Sequence, residues 1–208
     1  DGQTFRRKRP FAKRDIRDED GRSTLERAPG ANDVRRRLED LNQEGIWAEL
    51  IYCSNRMWAH SIRDPELVTA GCRVINDWAI GYQRFSPRYV VTAVIPVLSV
   101  ESAVAEIQRA AAMGYHAASL PVAPTIDGPD WNYDVWEPMW AALAETGMVV
   151  AFHIASDPHD ASKFNGVYFR GPGGHEVNYL EASFGGQRAV AKMVASGVFE
   201  RLHSLRAI

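Results

Sequence analysis

The chain has 208 residues, 46% of them hydrophobic and 24% charged, with a formal net charge of -2. That length is enough for one well-buried core, and so even a charge balance excludes a strongly acidic or basic partner as the organising feature. No apolar run reaches the ~18 to 20 residues that a membrane-spanning helix needs, so no membrane partner is expected.

Residues 1–30 differ in composition from the rest of the chain. They carry the basic run Arg6-Arg7-Lys8-Arg9 and then mixed charges, with few apolar residues beyond Phe5, Phe11, Ile16 and Leu25 and no sustained period. Such a composition predicts a solvated charged arm. Nucleic acid is not expected as a partner, because alternating acids dilute the positive field and no stacking aromatics are interleaved with it. If the segment is instead a long loop of a barrel, one of its arginines could grip an anionic substrate in a bidentate contact.

From residue 33 a unit of helix, glycine and strand repeats. Residues 33–44 place Val34, Leu38 and Leu41 at helical spacing, Gly45 stops the helix, and 46–52 reads as an extended apolar run. A second helix is predicted over 65–85, with Leu67, Ala70, Val74, Trp78 and Gly81 along the side that an amphipathic helix turns to a core. Ser86-Pro87 closes it before a strand over 89–97. A third helix over 100–113 stops at Gly114 and leads to a strand over 115–122; a fourth over 135–146 stops at Gly147 and leads to a strand over 148–154. The period is that of right-handed βαβ crossovers, which build one parallel sheet with its strands adjacent in chain order.

The last of these strands, Val149-Val150-Ala151-Phe152-His153-Ile154-Ala155, ends by presenting one imidazole before the polar Ser156-Asp157-Pro158. Parallel α/β sheets carry their chemistry at the carboxyl ends of strands, so His153 is a candidate ligand or acid/base. A hydrogen-bonded core histidine is the alternative. Asn55 and Trp58 come after the 46–52 strand on the side where a substrate would sit, with Trp58 an aromatic wall or a packing residue. Asp157 and His159, in the loop after His153, either orient the ligand and shuttle protons or are solvated. Arg170, ahead of Gly171-Pro172-Gly173-Gly174, could anchor a carboxylate; the glycine cluster lacks the context of a phosphate-binding loop. Trp131, Trp136 and Trp140 read as packing and loop cover, and His60, His116 and His203 as structural or surface residues. Cys53 and Cys72 lack metal-type spacing and read as buried or reduced thiols of a cytoplasmic protein.

Several of these segments together resemble the amidohydrolase-related proteins that include aminocarboxymuconate semialdehyde decarboxylase. Residues 33–52 are similar to that family's first helix and second strand, and Asp64-Pro65-Glu66-Leu67 and Arg73-Val74-Ile75-Asn76-Asp77-Trp78 are similar to its next segments. The run from Val149 to Ala155 resembles the fifth strand, whose histidine is a metal ligand. Gly171-Pro172-Gly173-Gly174 with Asn178-Tyr179-Leu180-Glu181 resembles the next loop and helix. The likeness runs in order over 31–208.

The resemblance implies a TIM-type (β/α)8 barrel with a divalent metal, zinc or manganese, at its carboxyl face and His153 among the ligands. The implied activity is metal-dependent decarboxylation of a small aromatic or cyclic carboxylate. Hydrolysis by the same family, or a metal-free non-catalytic barrel, is the alternative. The His-x-His or Glu-x-His pair of the family's first strand has no counterpart in the chain. The catalytic residue of the sixth strand and the metal-binding aspartate of the eighth would fall after Ile208. The expectation is therefore a partial barrel over 31–208 within a longer protein, holding strands two to five and the start of six at Arg206-Ala207-Ile208. Such a segment is expected to lack turnover by itself, and homo-oligomerisation is left open.

Overall fold

A computed structural model describes Gly21 and residues 28–31, 33–53, 62–124, 128–153, 172–181 and 184–208. The chain forms two compact units, Asp1–Trp47 and Ala48–Ile208.

In the first unit a 3-10 turn, Pro29–Ala31, precedes helix α1 (Val34–Gln43). Asp33 caps α1 by accepting hydrogen bonds from the amides of Arg35 and Arg36 at 2.8 and 3.4 Å, and these bonds hold its carboxyl below the ordinary aspartate range. Gly30 is required by closeness: a Cβ there would lie 2.9 Å from the Arg37 Cα. The 46–52 strand begins later than its apolar run predicts. The Ile46 amide donates back to the Leu41 carbonyl at 2.9 Å, finishing α1, and Trp47 is 84% exposed.

The second unit contains β1 (Glu49–Ile51), α2 (Pro65–Phe85), β2 (Tyr89–Val94), α3 (Val100–Met113), β3 (Ala117–Leu120), a 3-10 turn (Asp134–Trp136), α4 (Glu137–Thr146), β4 (Val149–Phe152), α5 (Gly174–Glu181), α6 (Phe184–Ala195) and α7 (Val198–Arg201). Asp64 caps α2 on the amides of Glu66 and Leu67 at 3.0 and 3.1 Å, and Pro65 sits in the first turn, where its missing N–H costs no bond. Gly114 and Gly147 end α3 and α4 with φ of 101° and 69°, backbone that other residues adopt only with strain.

All four strands are parallel, in the order β1-β2-β3-β4. Residues 206–208, where the start of a further strand is expected, pair with β4. Ala207 forms a parallel bridge with Val150. The Val150 amide donates to Arg206 O at 2.8 Å, Ile208 N–H to Val150 O at 2.9 Å, and Phe152 N–H to Ile208 O at 3.1 Å. The strands are shorter than their apolar runs. Ile95 and Val97 are buried yet lie beyond β2, because burial and ladder pairing are separate conditions.

The face of α2 corrects the sequence reading. Leu67, Val74 and Trp78 are 52%, 69% and 64% exposed, and Val68, Cys72, Ile75 and Ala79 enter the core instead. Both arcs of this helix are apolar, and periodicity alone does not choose between them. The buried arc brings Asn76 to β2. The Val94 amide donates to Asn76 Oδ1 at 2.8 Å, and Asn76 Nδ2 donates to Val94 O at 2.9 Å and to Glu106 Oε1 at 2.7 Å. Glu106, fully buried on α3, is gripped by the Arg109 guanidinium at 2.9 and 2.7 Å, and Arg109 also pairs with Asp77 of α2 at 2.6 Å. A buried carboxylate is tolerable only when paired in this way.

Cys53 and Cys72 are buried, and burial pushes the Cys72 thiol up to about 12, so it is not a thiolate near neutrality. Trp131, Trp136 and Trp140 pack edge to face, with Trp131 at 4.9 and 5.4 Å from the other two, in the packing role read from the sequence. Among the described residues no helix is long and apolar enough to cross a membrane.

Candidate functional site

Paired residues of a parallel ladder turn their side chains to the same face, and every second residue returns to it. Thr92 pairs with Ala117 and Ala117 with Val149; Val94 pairs with Ser119 and Ser119 with Ala151. His153, two residues past Ala151, continues that face beyond the end of β4. On β1, Leu50 pairs with Val90, so Tyr52, two residues on, joins the same face. The opposite face carries Val91, Ala93, Ala118, Leu120, Val150 and Phe152, all in the hydrophobic core. One side of the sheet is thus set against helices, and the other mixes Leu50, Val90, Val94 and Val149 with the smaller Thr92, Ala117, Ser119 and Ala151, with Tyr52 and His153 at its carboxyl edge.

The rings of Tyr52 and His153 meet, with centroids 4.9 Å apart and planes at 63°. The Tyr52 hydroxyl also donates to the Phe152 carbonyl at 3.4 Å. Two strands lie between β1 and β4, so in a flat sheet their backbones would stand roughly 14 Å apart, at the usual ~4.8 Å per strand, with side chains perpendicular to the sheet. Contact between them requires the sheet to curl, with Tyr52 and His153 on the concave side, as in a barrel. Thr92 stitches the same edge by donating from its hydroxyl to Ile51 O at 3.2 Å.

The structure therefore puts His153 where the sequence reading does, at the carboxyl end of a buried strand, half-buried on the concave face. Asn55, Trp58, Asp157, His159 and Arg170 lie outside the described residues, as does His60; His116 and His203 are exposed. Tyr52 is absent from the sequence reading. Its signal is the one that marks His153: a polar ring closing an apolar strand run.

A half-buried imidazole at the mouth of a curled parallel sheet suits one position of a divalent-metal site. Among the described residues no three His, Cys, Asp or Glu side chains gather into a metal-binding group.

The amidohydrolase family model matches residues 40–208. The chain belongs to the amidohydrolase family. Solved structures share its fold. An amidohydrolase from Mycobacterium avium subsp. paratuberculosis superposes with a TM-score of 0.69 at 23% identity, covering 88% of this chain and 48% of that one. The 2,6-dihydroxybenzoate decarboxylase from Rhizobium gives 0.62 at 19% identity, covering 82% and 53%. The manganese-bound 5-carboxyvanillate decarboxylase from Novosphingobium aromaticivorans gives 0.62 at 19%, covering 84% and 49%. A comparison with curated proteins returned no match. The chain thus spans about half the length of these amidohydrolase-fold structures, and its four strands with the Val150–Ala207 bridge are an incomplete (β/α) barrel.

Proposed function

We propose that this chain is the strand-two to strand-six portion of a metal-dependent decarboxylase acting on a small aromatic or cyclic carboxylate, in the cytoplasm. The observation that carries the reading is His153 on the concave face of a parallel amidohydrolase sheet, where a strand end delivers an imidazole to a shared site. The decarboxylases among the fold neighbours support the substrate class, and the manganese in the Novosphingobium structure favours manganese over zinc.

His153 would bind the metal through a neutral ring nitrogen. A bound divalent ion supplies a grip on substrate oxygens and withdraws charge from the ring. Decarboxylation breaks the bond from ring carbon to carboxylate, leaves the electron pair on that carbon and requires a proton there. The concave face provides buried Thr92 and Ser119, small Ala117 and Ala151, and the Tyr52 ring, a floor that excludes water from a flat substrate. Asn55, Trp58, His159 and Arg170 are proposed substrate contacts, on the grounds that they come after β1 and β4 in sequence and that Arg170 matches a carboxylate in charge.

The test is His153→Ala in the full-length protein, with metal content read by elemental analysis beside turnover of 2,6-dihydroxybenzoate and 5-carboxyvanillate. Loss of both metal and carbon dioxide release is expected. Unchanged metal stoichiometry would sink the assignment.

A further inference from the structure

We propose that Tyr52 is a positioning residue of this site, whose ring fixes the plane of the His153 imidazole and closes one flank of it. The inference rests on His153 as a metal ligand and adds to it a residue from the other end of the sheet. Three observations carry it.

Tyr52 holds the end of β4 at two points, one of them the His153 ring. Its ring lies 4.9 Å from the imidazole centroid at 63°, inside the range where aromatic pairs attract through edge-to-face contact. Its hydroxyl donates to the carbonyl of Phe152, one residue before His153. An imidazole past the last ladder pair of β4 has torsional freedom that the strand does not remove, and a ligand must present its nitrogen along one direction. A ring standing against it removes that freedom before anything binds.

The hold is also long-range in sequence. Tyr52 comes directly after β1 and His153 directly after β4, with two strands between, so the contact exists only when the sheet is curled. Orientation of the imidazole is thereby coupled to formation of the concave face. Finally, Tyr52 is itself fixed: Thr92 anchors the carbonyl of Ile51, the residue before it, at 3.2 Å. Outer-shell groups that hydrogen-bond a metal ligand change metal affinity by ~10 to 100-fold when removed, even though they never touch the metal, and a ring that fixes the imidazole by contact is expected at the lower end of that range.

The experiment uses the full-length protein, freed of metal by chelation, with histidine rings isotope-labelled and the His153 signals assigned through His153→Ala. In the wild type, nuclear Overhauser contacts between the Tyr52 and His153 rings are expected, and their absence overturns the proposal without any variant. Tyr52→Leu should move the His153 ring signals toward those of an unstacked imidazole and weaken manganese binding about tenfold or more, whereas Tyr52→Phe should restore both to within about threefold of wild type. A purely structural role would lower the melting temperature of Tyr52→Leu while leaving ring signals and manganese affinity of the folded protein unchanged, and that result refutes the inference. If His153→Ala itself leaves manganese affinity intact, the metal reading fails, and the ring contacts and signals still decide the role of Tyr52.

Discussion

Replacing Asn76 with alanine tests the connection between α2, β2 and α3. The side chain is fully buried and makes three hydrogen bonds: from the Val94 amide, to the Val94 carbonyl, and to Glu106. Val94 lies beyond the last β1–β2 pair, Ile51 with Val91, so the amide of Asn76 stands where a neighbouring strand would otherwise be. Alanine leaves the Val94 N–H and C=O buried without this partner, at ~1 to 3 kcal/mol each. Glu106 keeps its grip from Arg109 and adds less. Because single-substitution losses above ~4 to 5 kcal/mol are exceptional, the expected cost is ~3 to 4 kcal/mol. Urea unfolding followed by the fluorescence of the buried Trp131, Trp136 and Trp140 cluster measures it, with the denaturant slope checked for constancy. A loss under ~1 kcal/mol at unchanged slope would mean that water or a shifted backbone satisfies Val94 and that the network is not a structural key.

Two neighbouring glycines in α6 should behave oppositely. A Cβ on Gly185 would meet Val122 at 3.1 to 3.3 Å, whereas one on Gly186 finds its nearest neighbour, Phe152 Cβ, at 3.9 Å. Gly185→Ala should therefore cost ~1 kcal/mol through overpacking and Gly186→Ala gain up to ~1 kcal/mol from helix propensity; thermal melting that ranks Gly185→Ala at or above Gly186→Ala contradicts this. Arg201 grips Glu137 at 3.0 and 2.8 Å and holds its carboxyl below the ordinary glutamate range. A lowered folded-state value means stability present above the unfolded value and lost as pH falls through the folded one. Glu137→Gln should lower the melting temperature near neutrality, by the equivalent of ~0.2 to 1 kcal/mol for so exposed a pair, and meet wild type once acid has protonated Glu137; a gap independent of pH argues against the ion pair.

Helix ends are legible because single residues determine them. Asp64 with Pro65, Ser99, Gly114 and Gly147 stand at the boundaries of α2, α3 and α4, where capping and left-handed backbone demand those residue types. Strand ends are not, since an apolar run reports burial and Ile95 to Val97 remain buried without a ladder. The 135–146 helix divides at Trp136, where a 3-10 turn enters α4 ahead of Pro138, a change of winding that periodicity over so few residues does not resolve. The solvent face of α2 is misread because Leu67, Val74 and Trp78 form as good a stripe as Val68, Cys72, Ile75 and Ala79, and only the tertiary partner distinguishes them. His153 can be found from its place in one strand. Tyr52 closes its strand run in the same way, but its contact with His153 depends on curvature across four strands, which no local pattern encodes.

The strand order has a consequence for how such a chain is made. Each strand lies against the one synthesised before it, and Ala207 extends the series against β4. Partners are separated by only a few tens of residues, roughly seconds of translation at ~5 to 20 residues per second. A nascent chain of this topology can lay each new strand on a template that has already left the ribosome, with no need to wait for a distant segment to return. Each pairing still closes a whole crossover, and parallel sheets are intrinsically slow to assemble for that reason. At every stage this order also leaves one leading edge of unpaired backbone, which moves forward from β4 to residues 206–208 as the chain lengthens, and that edge is where a stalled or truncated product would find the wrong neighbour.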